Sequence, residues 1–335
     1  MLRFSPSLTG ATTRLAVLLA SAALLTGCGA DAENPVGPNA RFDAGTPVSV
    51  AETDLAAREP TNIQFGDFAL HVPANVHRVR GILLTLGGPD TRGFAAAGTP
   101  FRAPVPAVEA SLHVLGEMLR DLAADRGLAI LGTSRFGPFA YPNEPASDQL
   151  LLDAVAEAVA LSGRLELLDA PFLIYGISGG APEASGFTSR NPGRVAALFL
   201  TGPAGVEVLT GEALGVPTYM ILSELDEFVD NIALAAAFEA NRSAGAPWAL
   251  ALEPGVSHFS LLPARRELIV NWMRAILPFR AAGGSLRERP THVGWLGDLA
   301  TGNVAPAATY AGDLGTVSWF PTRPLAEEWA AFIGF

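Results

Sequence analysis

The feature that most constrains the fold is a repeated alternation of short apolar runs with longer segments of helical periodicity. The runs at 80–86, 128–133 and 171–176 are compact and mostly apolar, which is typical of strands buried on both faces of a sheet. Residues 105–126 place leucines and valines at three- and four-residue spacing, so they predict an amphipathic helix. Strands joined by helices imply right-handed crossovers. We therefore predict an α/β fold, doubly wound, with a mostly parallel sheet and helices on both faces.

Further elements of both kinds follow from the same patterns. A half-exposed early strand is predicted over 62–73, and buried strands are predicted over 195–201, 216–222 and 247–253. A helix that Ser147 could cap is predicted after the strand at 128–133, and two more helices are predicted over 261–277 and 325–332.

Composition limits the chemistry that this chain can perform. Hydrophobic residues make up 49% of the chain and charged residues 16%, so a large core can be buried. The basic residues are all Arg, which excludes a Schiff-base lysine and the lysine of a P-loop. The net charge of −11 argues against nucleic-acid binding. The single Cys excludes an internal disulfide, and the five His show no metal-ligand spacing, so we expect no metal or cofactor.

The amino-terminal segment predicts export. Arg3 and Arg14 precede an apolar run at 15–25, which is too short to span a bilayer and is typical of a secretory signal. Leu25-Thr26-Gly27-Cys28 resembles the lipobox of bacterial lipoproteins, and the resemblance implies cleavage after residue 27 and acylation of Cys28. The alternative is an ordinary signal peptide that is cleaved nearby. We expect a signal peptide at 1–27, a flexible tether at 28–47 and attachment to the bacterial cell envelope outside the cytoplasm.

The strongest chemical signal is the segment Gly176-Ile177-Ser178-Gly179-Gly180. It follows a predicted buried strand and precedes a segment compatible with a helix. A G-x-S-x-G sequence at a strand-to-helix turn can hold a nucleophilic serine in a strained conformation, with glycines leaving room for the neighbouring backbone. The following helix would direct its amino end toward developing negative charge. Ser178 is therefore the candidate nucleophile, against the alternative of a solvated serine in a glycine-rich loop.

Two later loops carry an acid and a histidine, each after a predicted strand. Asp226 follows the predicted strand at 216–222, and His258 follows the strand at 247–253. The chain order Ser, Asp, His is that of a nucleophile, an orienting acid and a base, each placed after a strand. Asp226 is preferred because it lies just beyond the strand end. Other acids of the same loop remain open as alternatives, namely Glu224, Glu227 and Asp230.

With these three segments, residues from about 60 to 280 resemble the α/β-hydrolase superfamily. The resemblance implies a sheet of the eight-stranded type and a Ser178–His258–Asp226 triad, in which His258 takes the proton of Ser178. It also implies an oxyanion hole, with one N–H from Gly179 and the other from Gly88 or, as a fallback, Gly87. Many members of this superfamily carry a helical lid after the sixth strand, but the segment Pro203–Gly215 is too short for a folded lid, so we expect an open cleft and no large lid domain. The combination of export and an open cleft resembles that of the branch that contains dienelactone hydrolases and polyhydroxybutyrate depolymerases.

Two regions outside the triad have alternative interpretations. In the loop at 90–104, Phe94 and Phe101 could line the cleft or could pack the loop onto the domain. We expect a catalytic domain at 48–280 and a packed, aromatic-rich extension at 281–335, which could add to the sheet edge or lean over the cleft.

The sequence thus predicts a lipid-anchored serine hydrolase that cleaves carboxylic esters and takes a small or polymeric ester as its substrate. A peptidase or amidase with the same triad remains an alternative, as does a hydrolase-like lipoprotein that binds a ligand without turnover.

Overall fold

A computed structural model describes residues 59–87, 90–96, 99, 101, 106–134, 143–282, 285–286 and 293–335. The strands of the main sheet are β1 (Thr61–Phe65), β2 (Phe68–Val72), β3 (Gly81–Gly87), β4 (Leu128–Thr133), β5 (Phe172–Ile177), β6 (Val195–Thr201), β7 (Thr218–Ser223) and β8 (Trp248–Glu253). The helices are α1 (Arg92–Ala95), α2 (Pro106–Arg126), α3 (Pro145–Ser162), α4 (Ala181–Arg190), α5 (Asn231–Ser243), α6 (Pro263–Arg280) and α7 (Arg323–Phe332). The remaining strands are β9 (Ala281–Ala282), β10 (Ser285–Leu286), β11 (Trp295–Asp298), β12 (Val304–Pro306) and β13 (Val317–Phe320).

The main sheet has eight strands in the order β1-β2-β4-β3-β5-β6-β7-β8. From β4 through β8 the neighbouring strands are parallel, and β2 is antiparallel to both β1 and β4. The chain moves one way in the sheet from β3 to β4 and the other way from β4 to β5. Because crossovers are right-handed, α2 lies on one face and α3 and α4 lie on the other. The predicted doubly wound α/β-hydrolase fold with a mostly parallel sheet is confirmed.

Reversal of the winding direction creates a crevice beyond the carboxyl ends of β3 and β5, where ligands of such sheets usually bind. The inner strands are almost completely buried because their residues are apolar on both faces. On one face α2 contacts α6, and on the other α3 contacts α4, so each face of the sheet is covered. The connection from β6 to β7 contains only a short 3-10 turn, Gly211–Gly215, and no inserted helical lid.

Two local predictions were wrong. The early strand predicted over 62–73 is a hairpin of β1 and β2, because Gly66 and Asp67 form a turn within it. Ser147 does not cap α3; this helix begins at Pro145 with Glu144 at the capping position, so Ser147 lies inside the first turn.

The carboxyl-terminal residues form a separate small sheet rather than extending the main one. Its strand order is β12-β11-β13, and α7 packs on α6. The Ser318 hydroxyl donates to the Leu250 carbonyl at 3.1 Å and accepts from the Leu250 N–H at 2.9 Å, while the Trp329 indole donates to the same carbonyl at 2.7 Å. These side chains therefore satisfy backbone groups at the free edge of β8, which would otherwise be open to strand pairing.

Candidate active site

The turn after β5 holds Ser178 in an unusual conformation. Ser178 has a φ of 51°, and among the described residues it is the non-glycine residue with positive φ. A left-handed conformation costs a residue with a Cβ about 1–2 kcal/mol, so surrounding contacts must impose it. Residues Ser178–Gly180 form a 3-10 turn that leads directly into α4. The amino end of this helix therefore begins next to the serine, where its dipole favours negative charge.

Close packing against β3 explains why the sequence has glycine two residues after the serine. A Cβ placed on Gly180 would lie 2.4 Å from the carbonyl carbon and oxygen of Leu86 and 2.5 Å from the nitrogen of Gly87. The serine turn thus rests on the end of β3, and only glycine permits this approach. Gly87, the last residue of β3, consequently lies beside the turn that carries Ser178.

A chain of two hydrogen bonds connects Ser178 to an acid. Ser178 Oγ lies 2.8 Å from His258 Nε2, and His258 Nδ1 lies 2.7 Å from Asp226 Oδ2. With the carboxylate accepting from Nδ1–H, the unprotonated Nε2 accepts from the serine hydroxyl. The Asp226 side chain is completely buried, and that of His258 is nearly so. This arrangement lets the imidazole take a proton from Ser178 while the carboxylate fixes its tautomer.

Separate strand ends hold the acid and the histidine. The backbone ladder of β7 and β8 continues into their loops, because Glu224 N–H donates to Glu253 O and Leu225 N–H to Val256 O, both at 2.9 Å. The other Asp226 oxygen, Oδ1, accepts from the Phe228 N–H at 2.9 Å, which orients the carboxylate. The loops that carry the two residues are thus joined to each other by backbone hydrogen bonds.

Among the acids that the sequence left open, it is Asp226 that reaches the histidine. Asp230 instead caps α5, accepting from the N–H groups of Ile232 and Ala233 at 3.0 Å. Glu224 accepts from the Gly255 N–H at 2.8 Å. Glu227 is exposed.

The candidate oxyanion donors are only partly described. Gly179 is buried in the turn directly after Ser178, at the position from which its N–H was expected to act. Gly88, the candidate for the second donor, lies outside the described residues, as does Cys28. Gly87, the fallback, is the last residue of β3. Among the described residues, no group of three or more His, Cys, Asp or Glu side chains could hold a metal ion.

Burial raises the pKa of two acidic side chains that lie near the nucleophile turn in the sequence. Burial raises the pKa of the Tyr175 phenol to about 12, and the hydroxyl lies 3.2 Å from Thr201 Oγ1. Burial also raises the pKa of the Glu183 carboxyl, which is the dominant effect there. Both side chains are therefore favoured in their neutral forms.

The sequence analysis left two aromatic residues undecided and overlooked two others. Phe94 and Phe101 are fully buried and pack edge-on with their centroids 4.6 Å apart, so they pack the loop onto the domain rather than line the cleft. Phe228 and Phe259, which were not candidate site residues, contact the His258 ring with centroid distances of 5.1 and 5.0 Å. Their signal was available in the sequence: each is a large apolar residue in a loop, within two residues of a triad candidate.

Comparison with known proteins adds structural likeness at low identity. No family model matches the chain, and no curated protein matches it. Among solved structures, esterase PE8 has 18% identity and a TM-score of 0.45, over 62% of this chain and 97% of its own. A carboxylesterase from Mesorhizobium loti has 16% identity and a TM-score of 0.41, over 64% and 99%. An S-formylglutathione hydrolase from Agrobacterium tumefaciens has 16% identity and a TM-score of 0.41, over 66% and 92%.

Proposed function

We propose that this protein is a serine hydrolase that cleaves carboxylic esters through an acyl-enzyme intermediate. The observation that carries the proposal is the continuous chain from Ser178 Oγ through the His258 imidazole to Asp226, with steps of 2.8 and 2.7 Å. The serine also lies at the carboxyl end of β5, beside the crevice at which the winding direction reverses.

In the proposed mechanism, Ser178 Oγ attacks the ester carbonyl as His258 Nε2 takes its proton. The N–H groups of Gly179 and Gly88 would stabilise the tetrahedral oxyanion, each being worth on the order of 3 kcal/mol of barrier. Collapse breaks the bond to the alcohol oxygen, which receives the proton from Nε2. A water molecule, deprotonated by His258, then attacks the acyl-enzyme and releases the acid together with free Ser178.

A fluorophosphonate probe tests the nucleophile directly. We expect the purified protein to be labelled once, and Ser178→Ala to lose both the label and at least about 10³-fold of its turnover of p-nitrophenyl acetate. Ser257→Ala is the matched control, because this exposed hydroxyl lies beside His258 in the same loop. Labelling and turnover that persist in Ser178→Ala would refute the nucleophile. A folded wild-type protein that is never labelled would instead indicate a binding protein.

We also propose export and lipid anchoring through Cys28, with the protein facing outside the cytoplasm. Support comes from the basic start, the apolar run and the lipobox-like segment that ends at Cys28. Within the described residues, no helix is both long enough and apolar enough to cross a membrane. Expression of Cys28→Ser in a bacterial host should move the protein from the membrane fraction to the soluble fraction. Unchanged membrane retention would contradict acylation at this residue.

A further inference from the structure

Exposed apolar side chains are concentrated in the two loops that carry Asp226 and His258 and in the first turn of α5, which follows the Asp226 loop. Among the described residues, thirteen large hydrophobic side chains are exposed, and five of them lie within 225–232 and 259–262. The five are Leu225, Phe228, Ile232, Phe259 and Leu262. Single exposed apolar residues are normal on a protein surface, but a cluster beside a reactive group indicates a binding surface.

Two of these residues are joined to the catalytic histidine by ring contacts. Phe228 and Phe259 pack edge-on at 5.2 Å between centroids, and each also lies about 5 Å from the His258 ring. They remain accessible nonetheless, with exposed fractions of 67% for Phe228 and 36% for Phe259. The histidine is confined further by Gly202, since a Cβ placed there would lie 3.2 Å from two atoms of the imidazole. The aromatic pair therefore offers free ring surface immediately beside the proton carrier.

We propose that Phe228 and Phe259 bind the alcohol portion of the ester and favour bulky, apolar alcohols; this inference rests on the ester hydrolysis proposed above. The alcohol oxygen must receive the proton from His258 Nε2 when its bond to the carbonyl carbon breaks, so it must lie within hydrogen-bond reach of that nitrogen. Side chains that contact the imidazole then flank the alcohol rather than the far end of the acyl chain.

Nearby charge narrows the class of alcohol. Glu227 and Asp230 lie within two residues of Phe228 and are exposed. Their negative charge disfavours an anionic group at the aromatic pair and leaves uncharged alcohols acceptable. The inferred substrate is thus an ester whose alcohol is apolar, carries no negative charge and is large enough to cover the rings of Phe228 and Phe259.

The test varies the alcohol while the acyl group stays constant. Acetates of ethanol and 2-phenylethanol have leaving groups of similar basicity and form the same acetyl-enzyme. We expect Phe228→Ala and Phe259→Ala each to lower kcat/KM for 2-phenylethyl acetate by about three- to tenfold, the range of one aromatic contact. The value for ethyl acetate should fall by a smaller factor, so the preference for 2-phenylethyl acetate over ethyl acetate should narrow, and Phe228→Tyr should retain the preference because it keeps the ring. Leu165→Ala is the matched control, since this residue is 70% exposed and precedes β5, whereas the triad lies beyond the carboxyl ends of the strands.

A second series separates the other possible roles of the two rings. It holds ethanol constant and compares ethyl acetate with ethyl 3-phenylpropanoate. A selective loss in this series would overturn the inference, because the rings would then bind the acyl group. An equal loss for every ester would also overturn it, because the rings would then only hold His258 in place.

Failure of the proposed function would have a different signature. If Ser178 is not the nucleophile, the wild-type protein will lack fluorophosphonate labelling and ester turnover altogether. If only the alcohol assignment is wrong, a small fluorophosphonate will still label Phe228→Ala and Phe259→Ala. In that case either the wild type will show no preference for 2-phenylethyl acetate, or the two variants will keep the wild-type preference.

Discussion

Arg265 and Glu253 form a buried ion pair beneath the loops of the candidate triad. Their side chains are only 2% and 6% exposed, and Arg265 Nη2 also donates to Ser223 Oγ at 2.9 Å. Ser223 and Glu253 are register partners at the ends of β7 and β8. Arg265 thus ties together the two strand ends from which the acid and the histidine loops begin.

Replacing Arg265 by Met should destabilise the protein by about 3–5 kcal/mol, because the Glu253 carboxylate would remain buried without its partner. That is a large part of the 5–15 kcal/mol by which a domain is usually stable. The double variant Arg265→Met/Glu253→Leu should recover most of the loss, since an apolar pair of similar volume leaves no buried charge.

The chain provides its own control for the ion pair. Arg323 and Glu327 pair at 2.8 Å across one turn of α7, with both side chains more than half exposed. Arg323→Met should cost less than about 1 kcal/mol because solvent screens the pair. Urea unfolding at pH 7, followed by tryptophan fluorescence, measures all three variants. The reasoning is refuted if Arg265→Met costs no more than Arg323→Met, or if the double variant is as unstable as the single one.

Three further perturbations test the remaining contacts. Gly180→Ala should abolish ester turnover, because its Cβ would lie 2.4 Å from the Leu86 carbonyl; activity near that of the wild type would contradict this packing. Burial raises the pKa of Glu183, so its stabilising contribution is present below pH 4.5 and is lost as pH rises through the folded value. The urea midpoint of Glu183→Gln, compared with that of the wild type at the same pH, should therefore be higher at pH 8 than at pH 5. Burial, assisted by Arg120, lowers the pKa of His71 to about 4, so the folded state loses stability as pH falls from 6.5 toward 4; His71→Gln should remove that part of the acid sensitivity in midpoints measured across this range.

Strands that are buried on both faces could be predicted closely from the sequence. β4 and β6 begin and end at the residues that the apolar runs indicated, because each run is bounded by polar residues or glycine. The hairpin of β1 and β2 was missed although its signal was present. The two-residue alternation is interrupted between Phe65 and Phe68, where Gly66 and Asp67 form the turn. Because side chains of a strand alternate with a period of two, this break in the alternation indicates a turn between two strands rather than one continuous strand.

The site was less accessible to sequence reasoning where tertiary packing decides between neighbours. Four acids lie in one loop; position just beyond the strand end favoured Asp226, and the fold brings Asp226 to the histidine while Asp230 caps α5. Likewise, aromatic residues in loops can bind a ligand or fill the core. Burial assigns Phe94 to the core, whereas Phe228 remains exposed beside His258.

Ser178 is held by one set of contacts, and Asp226 and His258 are held together by another. Ser178 is forced into its left-handed conformation by a turn that packs on β3 through Gly180. Asp226 follows a strand end that is fixed by backbone pairing and by the buried ion pair below it. His258 lies in the loop after β8, which is joined to the Asp226 loop by the hydrogen bond from Leu225 N–H to Val256 O. A perturbation at the ion pair therefore acts on the acid and the histidine together and leaves the serine turn in place, so such a variant should lose the hydrogen-bond chain before it loses the strained serine.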